Sequence, residues 1–448
     1  MVEQRYQAVL AVIADGRHNR IRFRRTHPDS GMTALLRCSD ETVYQSARVL
    51  DSPHAESTNV RLGKFSRMET AELAAHRARL MYVRGGVVTI PLVILAVGFA
   101  YSVGAHYTGA CMGMPHALNA ISARAALLMM APLTLMGATF ASHKVEHTVG
   151  HNLLTGPGLS VAGLVVVIGV AFALTSVFNL ARIPTSTIQI LVFTVVGTGL
   201  GASVGIHWAT IGALAIVWVA APPVAAGLGF GLTRLLDRAP AIRAQTQPAR
   251  ERLAAAGTIG GRCAGASATT SPAPGVDAAT PSTTGGALAA ALVAVGALAS
   301  FAMGGNDVAN ATGSLVANHT FTPLTAGLIG GLGLAAGVLT WGRPLLRKVA
   351  FDIVTVDRAM ATAAQLVQAV VVLAAVGFGF FTSMNQALIG AMSGTAAARG
   401  RHTVHRSALL GVLRGWIIGP GVGIALGYAI TRLLIAAIGV QHLLGRPA

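Results

Sequence analysis

The chain has 448 residues, 53% hydrophobic and 11% charged, where a soluble chain would carry about a quarter charged residues. With a mean hydropathy of +0.63 and apolar stretches long enough to cross a bilayer recurring along its length, it is an integral membrane protein, and most soluble enzyme folds are excluded. The formal charge of +17 is no nucleic-acid signal: fourteen of the 33 Lys and Arg precede Gly85 and many others end apolar segments, as in loops beside a membrane.

Residues 1–84 form a polar, basic N-terminal tail with no apolar stretch behind a basic start, unlike a cleaved signal peptide. Its run Arg17, His18, Arg20, Arg22, Arg24, Arg25 reads as a solvated face. Since the stretch has no clear periodicity, a translation start at Met68 or Met81 is also compatible with it. Residues 85–236 then carry apolar segments at about Val87–Val103, Ala123–Ala141, Val161–Leu180, Ile188–Val204 and Ile211–Leu236. Residues 237–284, rich in Ala, Pro, Thr, Gly and Ser and carrying Arg238, Arg243, Arg250, Arg252 and Arg262, read as a flexible cytoplasmic linker. Residues 285–448 resume with apolar segments at about Ala287–Met303, Leu324–Trp341, Met360–Phe380, Ala387–Ala398 and Leu409–Val440.

The second series repeats the first. Gly104-Ala-His106 pairs with Gly304-Gly-Asn306, Lys144-Val145 with Lys348-Val349, and Ile183 to Gln189 loosely with Phe380 to Gln386. Two repeats with an odd number of crossings each would lie inverted in the membrane. The expected fold is all-α, with two inverted repeats and about 10–12 membrane segments. A cytoplasmic linker would then put the N-terminus outside, whereas the basic tail argues for inside.

Of the 16 acidic residues, nine lie in the tail, and Asp237, Glu251 and Asp277 fall in the linker. A carboxylate working in the membrane must therefore be Glu146, Asp307, Asp352 or Asp357. Asp352 and Asp357, near Arg347, Lys348 and Arg358, read as interfacial ion pairs. His143, Glu146 and His147 match the spacing of an inverted zinc metallopeptidase, with His151 a turn further on. Such short motifs arise by chance, and the corresponding stretch after Lys348-Val349 has no histidines. The three cysteines, Cys38, Cys111 and Cys263, are too dispersed for a disulfide framework or a zinc cluster.

The segment Gly304-Gly-Asn306-Asp307-Val-Ala-Asn310-Ala-Thr312-Gly313 follows an apolar run directly. A carboxylate at membrane depth costs about 2.5–3.5 kcal/mol on insertion scales and marks a functional site by default. Asn306 and Asn310 would share a helical face, and a helix break at this point would aim free N–H groups at an anion.

This motif resembles the signature of the inorganic phosphate transporter (PiT) family, in which it occurs in both repeats and its Asn and Asp residues bind phosphate and the coupling cation. The resemblance covers roughly residues 87–440, linker excepted. It implies that Asn306, Asp307, Asn310 and Thr312 form the second copy. The first copy departs from the pattern, with His106, Tyr107 and Ala110 where the family carries Asn, Asp and Asn; His106, Tyr107 and Thr108 would face the second copy pseudo-symmetrically.

The family also has a re-entrant hairpin in each repeat. Pro184, Ser186, Thr187 and Gln189 resemble the first, with Gln189 in a histidine position, and Thr382, Ser383, Asn385 and Gln386 the second, without the proline. The resemblance implies an ion-coupled secondary transporter of inorganic phosphate in the plasma membrane, no cofactor beyond a coupling proton or sodium ion, and no enzymatic activity. Its partners would be the anion, the coupling cation, the lipid bilayer and a second copy of the chain, with no nucleic acid.

Losing one carboxylate bears on the substrate. A carboxylate accepts a hydrogen bond from protonated phosphate but only repels sulfate, and the family's sulfate permeases have a similarly eroded first motif. Sulfate permease is therefore one alternative reading, and a non-transporting anion sensor is another. The chain has no Walker-type loop, so the driving force would be an ion gradient.

Overall fold

The computed structural model describes residues 18–24, 33–38, 90–156, 158–181, 183, 185–240, 242, 283–317, 321–346, 356–400 and 406–438. The chain divides into two units, Met1–Gly86 and Val87–Ala448. In the first, strands β1 (His18–Arg24) and β2 (Thr33–Cys38) pair antiparallel, with Ile21 opposite Leu36. This local hairpin holds the only strands among the described residues; an isolated bridge joins Leu154 to Ile206. Met68, Met81, Pro184, Arg347, Lys348, Val349, Asp352 and most of the linker lie outside the described residues.

The second unit is helical throughout its regular elements. Its first half contains α1 (Ile90–Ala117), α2 (Ala123–Ala141), α3 (His143–His151), α4 (Val161–Ala181), α5 (Thr187–Gly201) and α6 (Trp208–Leu236). The second half contains α7 (Thr283–Ala317), α8 (Pro323–Trp341), α9 (Arg343–Leu346), α10 (Arg358–Gly377), α11 (Met384–Ala398) and α12 (Arg406–Ile438). Among the described residues, eight helices are long and apolar enough to span a bilayer: α1, α2, α4, α6, α7, α8, α10 and α12. The chain is thus a multi-pass membrane protein. Helices α5 and α11, each 15 residues, are buried over most of their length, too short to cross a core that needs about 20 residues.

Their starts are set by local chemistry. Ser186 and Ser383 occupy the N-cap positions of α5 and α11, and each hydroxyl accepts from the backbone N–H three residues on, Gln189 and Gln386, at 3.4 Å. Ser122 and Thr322 cap α2 and α8 in the same way. The outer faces expose Phe140, Leu180, Ile216, Val219 and Ile417, as a lipid solvent permits.

The duplication expected from the landmarks recurs in the packing. A Cβ on Gly104 of α1 would overlap the Leu334 carbonyl of α8, and one on Gly304 of α7 would overlap the Thr134 carbonyl of α2. Each position is displaced by 200 between the two contacts. Gly337 against Tyr101 and Gly137 against Phe301 repeat the relation. Small residues at these crossings let backbones touch, which is how helices associate where lipid removes the hydrophobic drive. The halves are interlocked, with α5 packed on α12 and α6 on α11. The core lies where α1, α5, α7, α10 and α11 converge.

Asp237 departs from its linker reading. It is the residue after α6, and its carboxylate pairs with Arg399, whose buried side chain also reaches Asp357. Asp357 additionally caps α10 through Met360 N at 2.9 Å. Its partner is therefore Arg399 and not its neighbour Arg358, which donates to Leu118 O.

Candidate functional site

Helix α7 brings Asn306, Asp307, Asn310 and Thr312 into the core, all fully buried. The helix runs unbroken through the motif, so of the two arrangements considered there the continuous helix is the one present. The interruption falls in the first motif instead, where Tyr107 (φ −92°, ψ 4°) separates the two parts of α1. The N–H groups expected at a broken second motif are supplied by the first turns of α5 and α11, which have no intrahelical partners.

Asn306 holds the second hairpin by its backbone: its Nδ2 donates to Thr382 O at 2.9 Å and Thr382 N donates to its Oδ1 at 3.1 Å. The same Nδ2 donates to Asp307 Oδ2 at 3.0 Å. His106 stands in the equivalent place in the first half. Its Nε2 lies 3.4 Å from Thr185 N, from which it accepts, and 3.1 Å from Thr185 O, so imidazole supplies the accepting half of the clamp an amide provides in the second half. Its other nitrogen faces Asn179 Oδ1 at 2.5 Å. Asn179 is itself oriented by donating to Ser102 O and Oγ, so Nδ1 is the donor.

Between the clamps runs a chain of polar contacts. Asn310 Nδ2 donates to Asp307 Oδ1 and to Thr187 Oγ1, both at 3.3 Å, and Tyr107 OH lies 3.0 Å from Thr187 Oγ1. The motif helix of the second half is thereby joined to the hairpin of the first. Asn385 of the second hairpin crosses to the first half as well, donating to Thr185 O at 2.9 Å.

Several oxygens here have no hydrogen-bond partner although they are buried: Gln189 Oε1, Asn310 Oδ1, Thr382 Oγ1, Asn385 Oδ1 and Gln386 Oε1. Leaving such groups unpaired costs about 1–3 kcal/mol each. Oxygens beside one carboxylate suit a hard monovalent cation, whereas the N-terminal turns of α5 and α11 suit an anion. A cavity of about 200 Å³ reaches Asn310 from one side, lined also by Gly150, His151, Leu191 and Ser314.

Of the fourteen site residues named from the sequence, twelve belong to this constellation directly or through the hairpins; Thr312 instead meets Glu146 and Val308 O. Thr108 does not belong to it either, because its hydroxyl is spent on the Ala105 carbonyl one turn back. Sequence reasoning missed Asn179, Gln365 and Gln368, which are buried on α4 and α10. Gln368 Nε2 donates to Met384 O at the start of α11. Polar residues inside otherwise apolar segments were their only signal.

The zinc reading fails on geometry. Glu146 is buried while His143, His147 and His151 are exposed, and no cluster of metal-ligating side chains occurs among the described residues.

Comparison with known proteins places these features. Residues 103–427 match the Phosphate transporter family. The sulfate permease CysP of Bacillus subtilis is 23% identical over 347 residues, 77% of this chain and 88% of that protein. The chloroplastic inorganic phosphate transporter 2-1 of Arabidopsis thaliana is 30% identical over 145 residues, and a putative phosphate permease of Haemophilus influenzae 32% over 130. These two alignments span 30% and 26% of this chain, and only 25% and 31% of the relatives. A solved structure, "The sodium-dependent phosphate transporter", superposes with a TM-score of 0.65 at 21% identity, over 79% of this chain and 100% of that one. It shows that the fold is shared.

Proposed function

The chain belongs to the phosphate transporter family, and from that premise we propose that it is an ion-coupled secondary transporter of inorganic phosphate in the plasma membrane. The observation that carries this reading is the buried Asp307–Asn310–Thr187 network, set beside two capped helix starts. Helix N-termini favour an anion. A dianion brought to this depth would need its charge offset, and the uncommitted oxygens around Asp307 would hold the cation that offsets it.

Asn306 and His106 hold the hairpin backbones and so position α5 and α11. Ser186 and Ser383 cap them, leaving the remaining first-turn N–H groups for the anion. Asp307, Asn310 and Thr187 would bind anion and cation, with Gln189, Thr382, Asn385 and Gln386 completing the shell. Alternating access would follow from movement of one half against the other about the glycine-lined crossings.

Sulfate is the second reading. It is favoured by Tyr107 in place of a carboxylate and by the length of the match to the sulfate permease. Several relatives are named as sodium-dependent phosphate transporters, which supports sodium among the candidate coupling ions.

Uptake of labelled phosphate and sulfate by proteoliposomes, under proton and sodium gradients imposed separately, tests the proposal. Concentrative phosphate uptake that Asp307→Asn abolishes is the expected result. Sulfate uptake alone would replace the substrate, and binding without flux would favour a sensor.

A further inference from the structure

The first half lacks a motif carboxylate, yet it contains another that the site above does not use. Glu146 on α3 is fully buried. Its Oε1 lies 2.6 Å from Thr312 Oγ1 on α7, the helix that carries Asp307. Thr312 Oγ1 also lies 3.0 Å from Val308 O.

A threonine hydroxyl has one proton to give. With Glu146 ionised, both neighbours are acceptors and only one contact is satisfied. With Glu146 protonated, the carboxyl donates to Thr312 Oγ1, and Thr312 donates to Val308 O. Glu146 Oε2 has no partner, which costs a neutral acid far less than a carboxylate.

Among the described residues no neighbouring charge compensates the ionised form. On α3 itself, Lys144 donates to Gly377 O, His143 bonds Thr139 O, and His147 stacks on His151 at the exposed face. The titratable groups on the packed helices are Asp307 on α7 and Arg358 at the far end of α10, whereas α8 has none. Asp307 is held by Asn306 and Asn310, and Arg358 by Leu118 O. Burial accordingly pushes Glu146 up to about 7. The cavity that reaches Asn310 is lined by Val149 and Gly150 of α3 and Ser314 of α7, which brings it within about a turn of both Glu146 and Thr312.

We propose that Glu146 is a proton site of this transporter, one that couples the movement of α3 against α7 to proton binding through Thr312. The idea rests on the transport reading for its role, but not for its existence. A proton taken from water in the cavity would seal the α3–α7 contact, and its release would leave Thr312 with two acceptors and loosen it.

The test uses wild type, Glu146→Gln and Glu146→Asp in proteoliposomes with labelled phosphate. With one proton per anion, an inward proton gradient should raise accumulation about tenfold per pH unit in wild type. Glu146→Gln should lose that response while still exchanging labelled phosphate across the membrane, and Glu146→Asp should restore part of it. A Glu146→Gln protein that accumulates phosphate with the wild-type response to the gradient overturns the proposal.

Infrared difference spectroscopy of the purified protein reads the site without any transport. A protonated-carboxyl band that titrates near neutral pH and vanishes in Glu146→Gln is expected. Its absence from wild type overturns the proton site, whereas its presence in a protein that moves no anion would sink the transport reading and leave the site standing.

Discussion

The two halves of the membrane unit share a scaffold but differ in chemistry. Gly104 and Gly304 accept the same close approach from the opposite half, and Ser186 and Ser383 cap equivalent helices. At the motifs the halves diverge. Asn306, Asp307 and Asn310 place an amide, a carboxylate and a second amide around one point, whereas His106, Tyr107 and Ala110 leave a clamp and a phenol. The first half keeps the part of the motif that holds the hairpin and has lost the part that carries charge. On the proposed reading, positioning and binding are separable tasks of one short segment, and this chain separates them.

The sharpest way to break that comparison is Asp307→Asn. Removing the carboxylate from a network of charge-assisted bonds should lower transport by about 100-fold, the scale of losing one or two such bonds, while the detergent-solubilised protein keeps its fold. Uptake rates beside a melting curve separate the two effects.

The shared scaffold gives the next largest effect. Gly104→Val and Gly304→Val each force two backbones apart and should cost about 1–3 kcal/mol, to a similar extent in the two halves. Unequal losses of thermal stability would show that the crossings are not equivalent.

Tyr107→Asp restores a carboxylate where the second half has one. The variant should shift the ratio of phosphate to sulfate transport toward phosphate by about tenfold, because a second carboxylate accepts from protonated phosphate and repels sulfate. Competition between the two labelled anions measures it.

The smallest effect belongs to His106→Asn. An amide can remake the Thr185 contact as Asn306 does with Thr382, so transport should change by less than about threefold, within the ~1 kcal/mol of one neutral hydrogen bond. His106→Leu, which cannot hold the hairpin, should do more damage than His106→Asn in the same uptake assay.

Much of this was legible in the residues. Apolar runs marked the helices, and the hydroxyl residues at 186 and 383 marked the starts of the two short ones. The costly Asp307 in an apolar context marked the candidate site, and it lies buried among Asn306, Asn310 and Thr187. What sequence could not show was which distant groups meet. Asn179 turns toward His106 from 73 positions away, and Glu146 and Thr312 meet across 166. Arg399 joins Asp237 to Asp357 across the interlocked halves. Such pairs follow from how α5 and α11 insert between the other helices, and no local pattern encodes that.

The small residues of the second motif are contact points, with Gly304 and Gly305 lying against α2 inside an intact helix.

The central claim is that charge is handled by the second motif and positioning by the first. Its most direct test is counterflow of labelled phosphate in proteoliposomes holding wild type, Asp307→Asn or Tyr107→Phe, at equal protein density. The account predicts near-complete loss for Asp307→Asn and a loss of no more than about tenfold for Tyr107→Phe, which removes one hydrogen bond to Thr187. Equal losses, or an active Asp307→Asn, would contradict it.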